Sequence, residues 1–143
     1  MRIFISYAAR DEELASQLAD QLSQAGFAVW DAAKEIAPGD NWAKEMGRAL
    51  DESDVIVAVI TRESLRSQSV QADIQYALTS KHFDHRLVPV LVDYVTFEAG
   101  KDVPWILLKM DPVYLSKADQ SDKFKAVVDR VREIARQETN APC

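Results

Sequence analysis

The sequence contains a single cysteine, Cys143 at its last position, and only two histidines, His82 and His85. One cysteine cannot form a disulfide within the chain, so the fold is expected to depend on its hydrophobic core. These three residues are also too few for the usual zinc sites, and residues 82–85 are interpreted as a polar loop between a helix and a strand. The sequence therefore predicts no metal site.

Long apolar stretches are missing as well. The longest is Val55–Ile60, six residues, against the roughly 20 that a membrane-spanning helix needs. The N-terminus, MRIFISYAARDEE, turns acidic too early to contain the apolar region of a secretory signal. A length of 143 residues, 48% apolar and 28% charged, is typical of one globular domain, which we expect in the cytoplasm.

An excess of positive charge is also absent. Seventeen Lys and Arg residues against 23 Asp and Glu residues give a formal net charge of −6. Proteins that bind nucleic acids rely on basic patches that displace counterions from the phosphates. The sequence therefore argues against a nucleic-acid partner.

Apolar residues occur alternately in short runs and in longer segments of helical period. The short runs predict strands at Arg2–Ser6, 27–30, Val55–Ile60, Leu87–Val92 and, more weakly, Val113–Leu115. The periodic segments predict helices from Asp11 to a cap at Gly26, from a cap at Asp40 or Asn41 onward, around Val70 to Leu78, briefly between Asp93 and Pro112, and over 121–137. Pro89 suggests an edge or irregular position for the fourth strand.

Regular alternation of strands and helices predicts right-handed βαβ units around one parallel sheet. The fold class is therefore α/β: a flavodoxin-like three-layer sandwich whose five-stranded parallel sheet has the order 2-1-3-4-5 and helices on both faces. In this order the direction of winding reverses between strands 1 and 3, and ligands bind beyond the carboxyl ends of the strands there. The candidate site thus lies near Ser6, Tyr7 and Arg10, after strand 1, Asp31, after strand 2, and Thr61.

Several common occupants of such a crevice are excluded. The chain has four glycines, and none follows strand 1, where both the dinucleotide motif G-x-G-x-x-G and the phosphate loop need them. A phosphoacceptor receiver domain would need a carboxylate at the end of strand 3 and an acidic pair after strand 1. This chain has Thr61 at the first position and Ser6-Tyr7-Ala8-Ala9 at the second.

Four motifs in order resemble a TIR (Toll/interleukin-1 receptor) domain of the prokaryotic type. They are F-[IV]-S-Y-x-x-x-D from Phe4 to Asp11, I-x-P-G-D-x-W from Ile36 to Trp42, Ser53-Asp54 before an all-apolar strand, and a helix with the pattern S-x-x-V-x-x-[E/D]-I-x-x-A-L. Together they cover about half of the chain. The resemblance predicts a single TIR domain over residues 1–138, followed by a frayed tail over 139–143.

The resemblance implies one of two functions. Many TIR domains cleave NAD, as substrate rather than cofactor, between nicotinamide and ribose, and release linear, cyclic or conjugated ADP-ribose. Others are adaptors that only bind other TIR domains. In the enzymes a Glu within W-x-x-x-E on the third helix is the catalytic carboxylate. The alignment assigns that position to Asp73 and the tryptophan position to Ser69.

An aspartate at this position keeps the charge that the chemistry requires. Cleavage of the bond to nicotinamide builds positive charge on the ribose, which a nearby carboxylate stabilises. Aspartate is one methylene shorter than glutamate, and a misplacement of about 1 Å can lower a rate about a hundredfold. A slow enzyme, a shifted backbone or a solvated surface residue are the alternatives for Asp73.

Further residues of the candidate site follow from the crevice and from the resemblance. Ser6 and Tyr7 are expected to contact the ligand, while Arg10 and Lys34 are candidates for neutralising its pyrophosphate. Trp42, like Trp30, is expected to anchor the core or a loop first and to line the pocket second. Asp31, Lys34 and Trp42 belong to or adjoin the loop 31–41, which resembles the loop that bridges neighbouring TIR domains.

We therefore expect an NAD-cleaving signalling enzyme of a bacterial-type immune or stress response, active when several copies assemble. The alternatives are a non-catalytic scaffold that assembles through the same loop, and a sensor of a nucleotide-derived signal. Because the chain is acidic, an NAD-binding crevice would have to concentrate the few local cations, Arg10 and Lys34 among them.

Overall fold

The structure is a computed structural model and describes residues 2–30, 39, 41–80, 86–93, 105–115 and 123–140. Five strands form one parallel sheet: β1 (Arg2–Ser6), β2 (Ala28–Trp30), β3 (Val55–Ile60), β4 (Leu87–Val92) and β5 (Val113–Leu115). Their order is β2-β1-β3-β4-β5, so the predicted flavodoxin-like α/β topology is confirmed. In the register, Phe4 lies opposite Trp30 on one side and Ile56 on the other.

Five helices cover the two faces of the sheet within the described part of the chain. They are α1 (Glu12–Gln24), α2 (Trp42–Glu52), α3 (Gln68–Thr79), α4 (Trp105–Leu108) and α5 (Lys123–Asn140). The last helix continues beyond its predicted end at residue 137. None of the helices that the structure describes is both long and apolar enough to span a membrane.

Local signals in the sequence explain where α1 and α2 begin or end. Gly26 follows α1 with a φ of 98°, a conformation that glycine adopts without strain. The Gly26 N–H donates to the Ser23 carbonyl and the Phe27 N–H to the Leu22 carbonyl, which together close the helix end. At the start of α2 the Asn41 side chain accepts a hydrogen bond from the Lys44 N–H at 3.2 Å. Of the two predicted N-caps, Asp40 and Asn41, the structure therefore has Asn41.

Alternating residues of each strand enter two separate cores. Ile3 and Ile5 of β1 pack with α1 and α5, whereas Phe4 packs on the other face with α2, α3 and α4. All six residues of β3 are buried, as expected for a parallel strand covered by helices on both faces. The same alternation directs Ser6 toward the face of α3 and Thr61, the residue after β3, toward the face of α1.

Of the two positions that Pro89 suggested, an edge or an irregular one, the edge is wrong, because β4 lies between β3 and β5. The Ile56 N–H donates to the Arg86 carbonyl, so the even-numbered residues of β4 bond to β3 and the odd-numbered ones face β5. Pairing with β5 begins only at Val90. Pro89 therefore lacks its N–H on the side where the short neighbouring strand has not yet begun.

A buried polar network joins the loop after β1 to the loop after β3. The Thr61 hydroxyl donates to Asp11 Oδ2 at 2.6 Å, and the Thr61 N–H donates to Ser64 Oγ at 2.7 Å. The Ser64 N–H in turn donates to Thr61 Oγ1 at 3.0 Å. Asp11 and Thr61 are each 3% exposed, so this carboxylate depends on the threonine hydroxyl for compensation.

Replacing Thr61 by valine is expected to lower the free energy of unfolding by about 2–4 kcal/mol, because it leaves the Asp11 carboxylate buried without its donor. Thr61→Ser keeps the hydroxyl and should lose only about 1 kcal/mol for the missing methyl group. Urea unfolding of the three proteins measures both effects. A valine variant as stable as the wild type would contradict this role of the hydroxyl.

Candidate functional site

A cleft of about 480 Å³ opens at the carboxyl ends of β1 and β2 and beside the first turns of α3, the helix that follows β3. This volume is in the range of small-molecule sites. Six of the residues that line it have polar side chains: Ser6, Tyr7, Glu12, Ser67, Ser69 and Asp73. The rest of the described wall is apolar and consists of Ile5, Ala9, Trp30 and Met46.

The Ser6 hydroxyl and the Asp73 carboxylate meet in the wall of this cleft. Ser6 Oγ donates to Asp73 Oδ2 at 2.7 Å, and the two side chains are 2% and 6% exposed. Ser6 is the last residue of β1, and Asp73 lies in α3 on the same side of the sheet as Phe4. The strand alternation and the helical spacing thus bring together two residues that are 67 positions apart in the sequence.

The environment of Asp73 favours its protonated form more than water does. Burial raises the pKa of this carboxyl from its ordinary 3.8 to about 6, while the hydrogen bond from Ser6 opposes the rise and lowers the pKa. A carboxyl with this pKa is about nine-tenths ionised at pH 7. Carboxyls with raised pKa values in clefts are typical of functional sites.

The first turn of α3 forms one side of the cleft. The Ser67 side chain caps this helix by accepting a hydrogen bond from the Val70 N–H at 3.3 Å. Ser69, the second residue of α3, is exposed and also lines the cleft. The small side chain at residue 69 leaves this side of the cleft open where a tryptophan would narrow it.

Arg10 lies beside the cleft in the chain but does not line it. Its side chain is 82% exposed, and its guanidinium lies 3.9 Å from the Glu63 carboxylate. Arg10 is not part of the cleft wall, although Ala9, its neighbour in the short 3-10 turn Ala9–Asp11, does line the cleft. Asp31 and Lys34 lie outside the described residues, as does the side chain of Trp42.

Six residues of the cleft were not predicted as site residues: Ile5, Ala9, Glu12, Met46, Ser67 and, except in a secondary role, Trp30. Glu12 begins α1 immediately after the loop of β1, and Ser67 is the N-cap of the helix that follows β3. Both positions can be found from the topology, since helix starts after the switch-point strands face the crevice. Among the described residues, no group of three or more His, Cys, Asp or Glu is arranged to hold a metal ion.

The raised pKa of Asp73 predicts a specific pH dependence of stability. The folded state holds the proton of Asp73 more tightly than the unfolded chain does. The contribution of protonated Asp73 to the free energy of unfolding is therefore complete below pH 3.8 and is lost as the pH rises to about 6. At about 1.4 kcal/mol per pKa unit, the wild type loses about 3 kcal/mol over this range. Asp73→Asn removes this loss.

We therefore expect the unfolding free energy of Asp73→Asn, relative to the wild type, to increase by about 2–3 kcal/mol between pH 4 and pH 7. Asp20→Asn, which changes an exposed aspartate of α1, is the matched control and should show no such trend. Denaturant titrations at several pH values measure the difference. An equal pH trend in both variants would contradict the burial of an ionised Asp73.

The sequence matches the protein family described as TIR domain over residues 3–128. Among curated proteins, no sequence matches this chain significantly.

Solved structures share the fold over nearly the whole chain. The TIR domain of the Toll-related receptor TRR-2 from Hydra magnipapillata is 21% identical with a TM-score of 0.65, over 96% of this chain and 98% of that one. A TIR-STING receptor from C. gigas in complex with 2′,3′-cGAMP is 21% identical with a TM-score of 0.68, over 90% of this chain and 38% of that one. The TIR domains of the activated Roq1 resistosome, which directly recognises the pathogen effector XopQ, are 17% identical with a TM-score of 0.61, over 96% of this chain and 98% of that one. The family match over most of the sequence, together with the observed sheet order, shows that this chain belongs to the TIR domain family.

Proposed function

We propose that this TIR domain cleaves NAD at the bond between nicotinamide and ribose, with Asp73 as the catalytic carboxylate. The observation that carries the proposal is the position of Asp73, a carboxylate that is 6% exposed yet lines an open cleft at the switch point of the sheet. Asp73 combines burial with a raised pKa and, unlike the buried Asp11, with access to a cleft, a combination that is typical of functional sites.

The reaction needs a negative charge more than it needs an acid. When the bond between C1′ and the pyridinium nitrogen breaks, the electron pair stays with the nitrogen and nicotinamide leaves as a neutral molecule. Positive charge then develops on the ribose, where the Asp73 carboxylate stabilises it at short range in a site of low dielectric. Water adds at C1′ and loses a proton, which yields ADP-ribose, nicotinamide and one proton. Capture by a nucleophile within the substrate would give a cyclic product instead.

Ser6 is proposed to hold the carboxylate in its reactive orientation. Its hydroxyl donates to Oδ2, which leaves Oδ1 available to face the ribose. The same hydrogen bond lowers the pKa of Asp73 against the effect of burial, so the ionised form prevails at neutral pH. Tyr7 and Ser69 line the cleft beside this pair and are proposed to contact the substrate.

The remaining parts of the proposal rest on the family resemblance. Asp31, Lys34 and Trp42 are proposed to bind NAD from the loop 31–41 and its border, and this loop is proposed to mediate self-association with other copies. In this proposal the protein acts in the cytoplasm, in an immune or stress response, through its reaction product. Arg10 is still proposed as a pyrophosphate ligand from beside the cleft, since its side chain is exposed and it lies in the chain between Ala9 and Glu12, which line the cleft.

One observation favours the alternative, a scaffold that binds other TIR domains without catalysis. The described wall of the cleft contains two carboxylates and no Lys or Arg, although NAD carries an anionic pyrophosphate. The shorter Asp73 in place of glutamate supports the same alternative. A scaffold would assemble without regard to the charge of Asp73, so the enzyme assay separates the two functions.

Purified protein at high concentration is expected to release nicotinamide from NAD, as measured by chromatography. Asp73→Ala and Asp73→Asn should lower the rate at least about a hundredfold, because they remove the charge that stabilises the ribose cation. Asp73→Glu should retain or increase the rate if the shorter side chain limits it. Asp20→Asn is the matched control with the same loss of charge outside the cleft. No release by the wild type at any concentration, with or without a crowding agent, would exclude the enzyme and favour the scaffold.

The rate of NAD cleavage is expected to decrease about tenfold per pH unit below pH 6, because protonation of Asp73 removes the catalytic charge. Ser6→Ala should move this acidic limb to higher pH by up to about one unit, since the hydrogen bond that lowers the pKa is lost. Ser53→Ala is the control, because it removes a buried serine hydroxyl that donates to the Ala49 carbonyl far from the cleft. An acidic limb that stays in place in Ser6→Ala would contradict the proposed role of Ser6.

A further inference from the structure

The charge of the cleft wall indicates which part of a ligand it can accept. Its ionised groups among the described residues are Glu12 and Asp73, and it has no basic side chain there. Arg10 does not line the cleft, and its guanidinium lies 3.9 Å from the Glu63 carboxylate. Such a wall repels a pyrophosphate and attracts a cation.

An aromatic ring forms part of the same wall. Trp30 lines the cleft, and its ring stacks on Phe4 with centroids 5.3 Å apart and an angle of 10° between the planes. Because Phe4 is fully buried, this stacking fixes the indole at the edge of the core. An indole that shares a cleft wall with two carboxylates favours a flat cation. The π face of the indole and the negative charge of the carboxylates both attract it.

Glu12 is held at the mouth of this cleft by its neighbour in the chain. Asp11 is anchored to the core by the hydrogen bond from Thr61 at 2.6 Å, and Glu12 follows it as the first residue of α1. The backbone of Glu12 is therefore fixed relative to the loop after β3. Unlike Asp73, Glu12 is exposed, so its charge is not committed to a buried hydroxyl.

From this geometry we propose that Glu12 is a specificity residue that selects ligands by the charge of their aromatic ring. The cleft binds an N-substituted pyridinium cation in preference to its neutral counterpart, and the Glu12 carboxylate supplies the preference at the open side. The inference deepens the proposed NAD cleavage and rests on it for the identity of the natural ligand. It implies that the pyridinium end of NAD enters the cleft and that the pyrophosphate is bound outside the described wall.

The test compares the affinities of 1-methylnicotinamide, a cation, and nicotinamide, its neutral counterpart. Binding is measured by calorimetry and by quenching of tryptophan fluorescence, on the full chain at low salt. The wild type should bind the cation about three- to tenfold more tightly, and Glu12→Gln should reduce this ratio about three- to fivefold. Glu13→Gln is the matched control, since Glu13 is the next residue of α1, is exposed and does not line the cleft.

Three results would overturn the proposal: no detectable binding of the cation by the wild type, a ratio that Glu12→Gln leaves unchanged, or an equal reduction in Glu13→Gln. The measurement is independent of turnover. Charge selection without release of nicotinamide from NAD would refute the enzyme and keep the specificity role of Glu12. Release of nicotinamide without charge selection would keep the enzyme and refute the specificity role of Glu12.

Discussion

Two hydroxyl–carboxylate hydrogen bonds cross at the switch point of the sheet, and the geometry of the cleft depends on them. Ser6 at the end of β1 donates to Asp73 on α3, the helix that follows β3. Thr61, directly after β3, donates to Asp11 just before α1, the helix that follows β1. Each bond ties the end of one strand to the helix that belongs to the other strand. Because all four side chains are at most 6% exposed, these bonds are strong enough to hold the two loops at a fixed spacing.

The alternation of side chains along the strands explains why these bonds form, and it made much of the fold predictable. Ser6 has the same orientation as Phe4 and faces α3, whereas the residue after Ile60 faces α1. The all-apolar run of β3 and the helix cap at Gly26 are local signals that tertiary contacts do not override. The sheet order, the position of the crevice and the inclusion of Ser6 and Tyr7 in its wall follow from them, whereas Ser69 and Asp73 were predicted from the resemblance to TIR domains.

Other features could not be predicted, because they depend on distances between elements rather than on patterns within one. Pro89 in an interior strand is tolerated only because β5 is three residues long and begins its pairing one position later. The direction of Arg10 depends on Glu63, a residue of another loop. Met46 lines the cleft from α2, whose angle to the sheet no periodicity specifies. Long-range placement of this kind is a property of packing, and composition carries little information about it.

The acidity of the chain extends into the described wall of the cleft, where cations were expected. A net charge of −6 first suggested that an NAD site must gather cations, yet the described wall contains two carboxylates and an indole instead. In the proposed function the described wall accepts the cationic half of NAD, whose charge moves from the pyridinium to the ribose as the bond breaks, and the pyrophosphate binds outside this wall. In that proposal Glu12 attracts the ring in the ground state, and Asp73 stabilises the ribose in the transition state provided that Asp73 stays ionised. The pKa of about 6 limits that condition, since further burial of Asp73 would protonate it at neutral pH and remove the charge that stabilises the ribose.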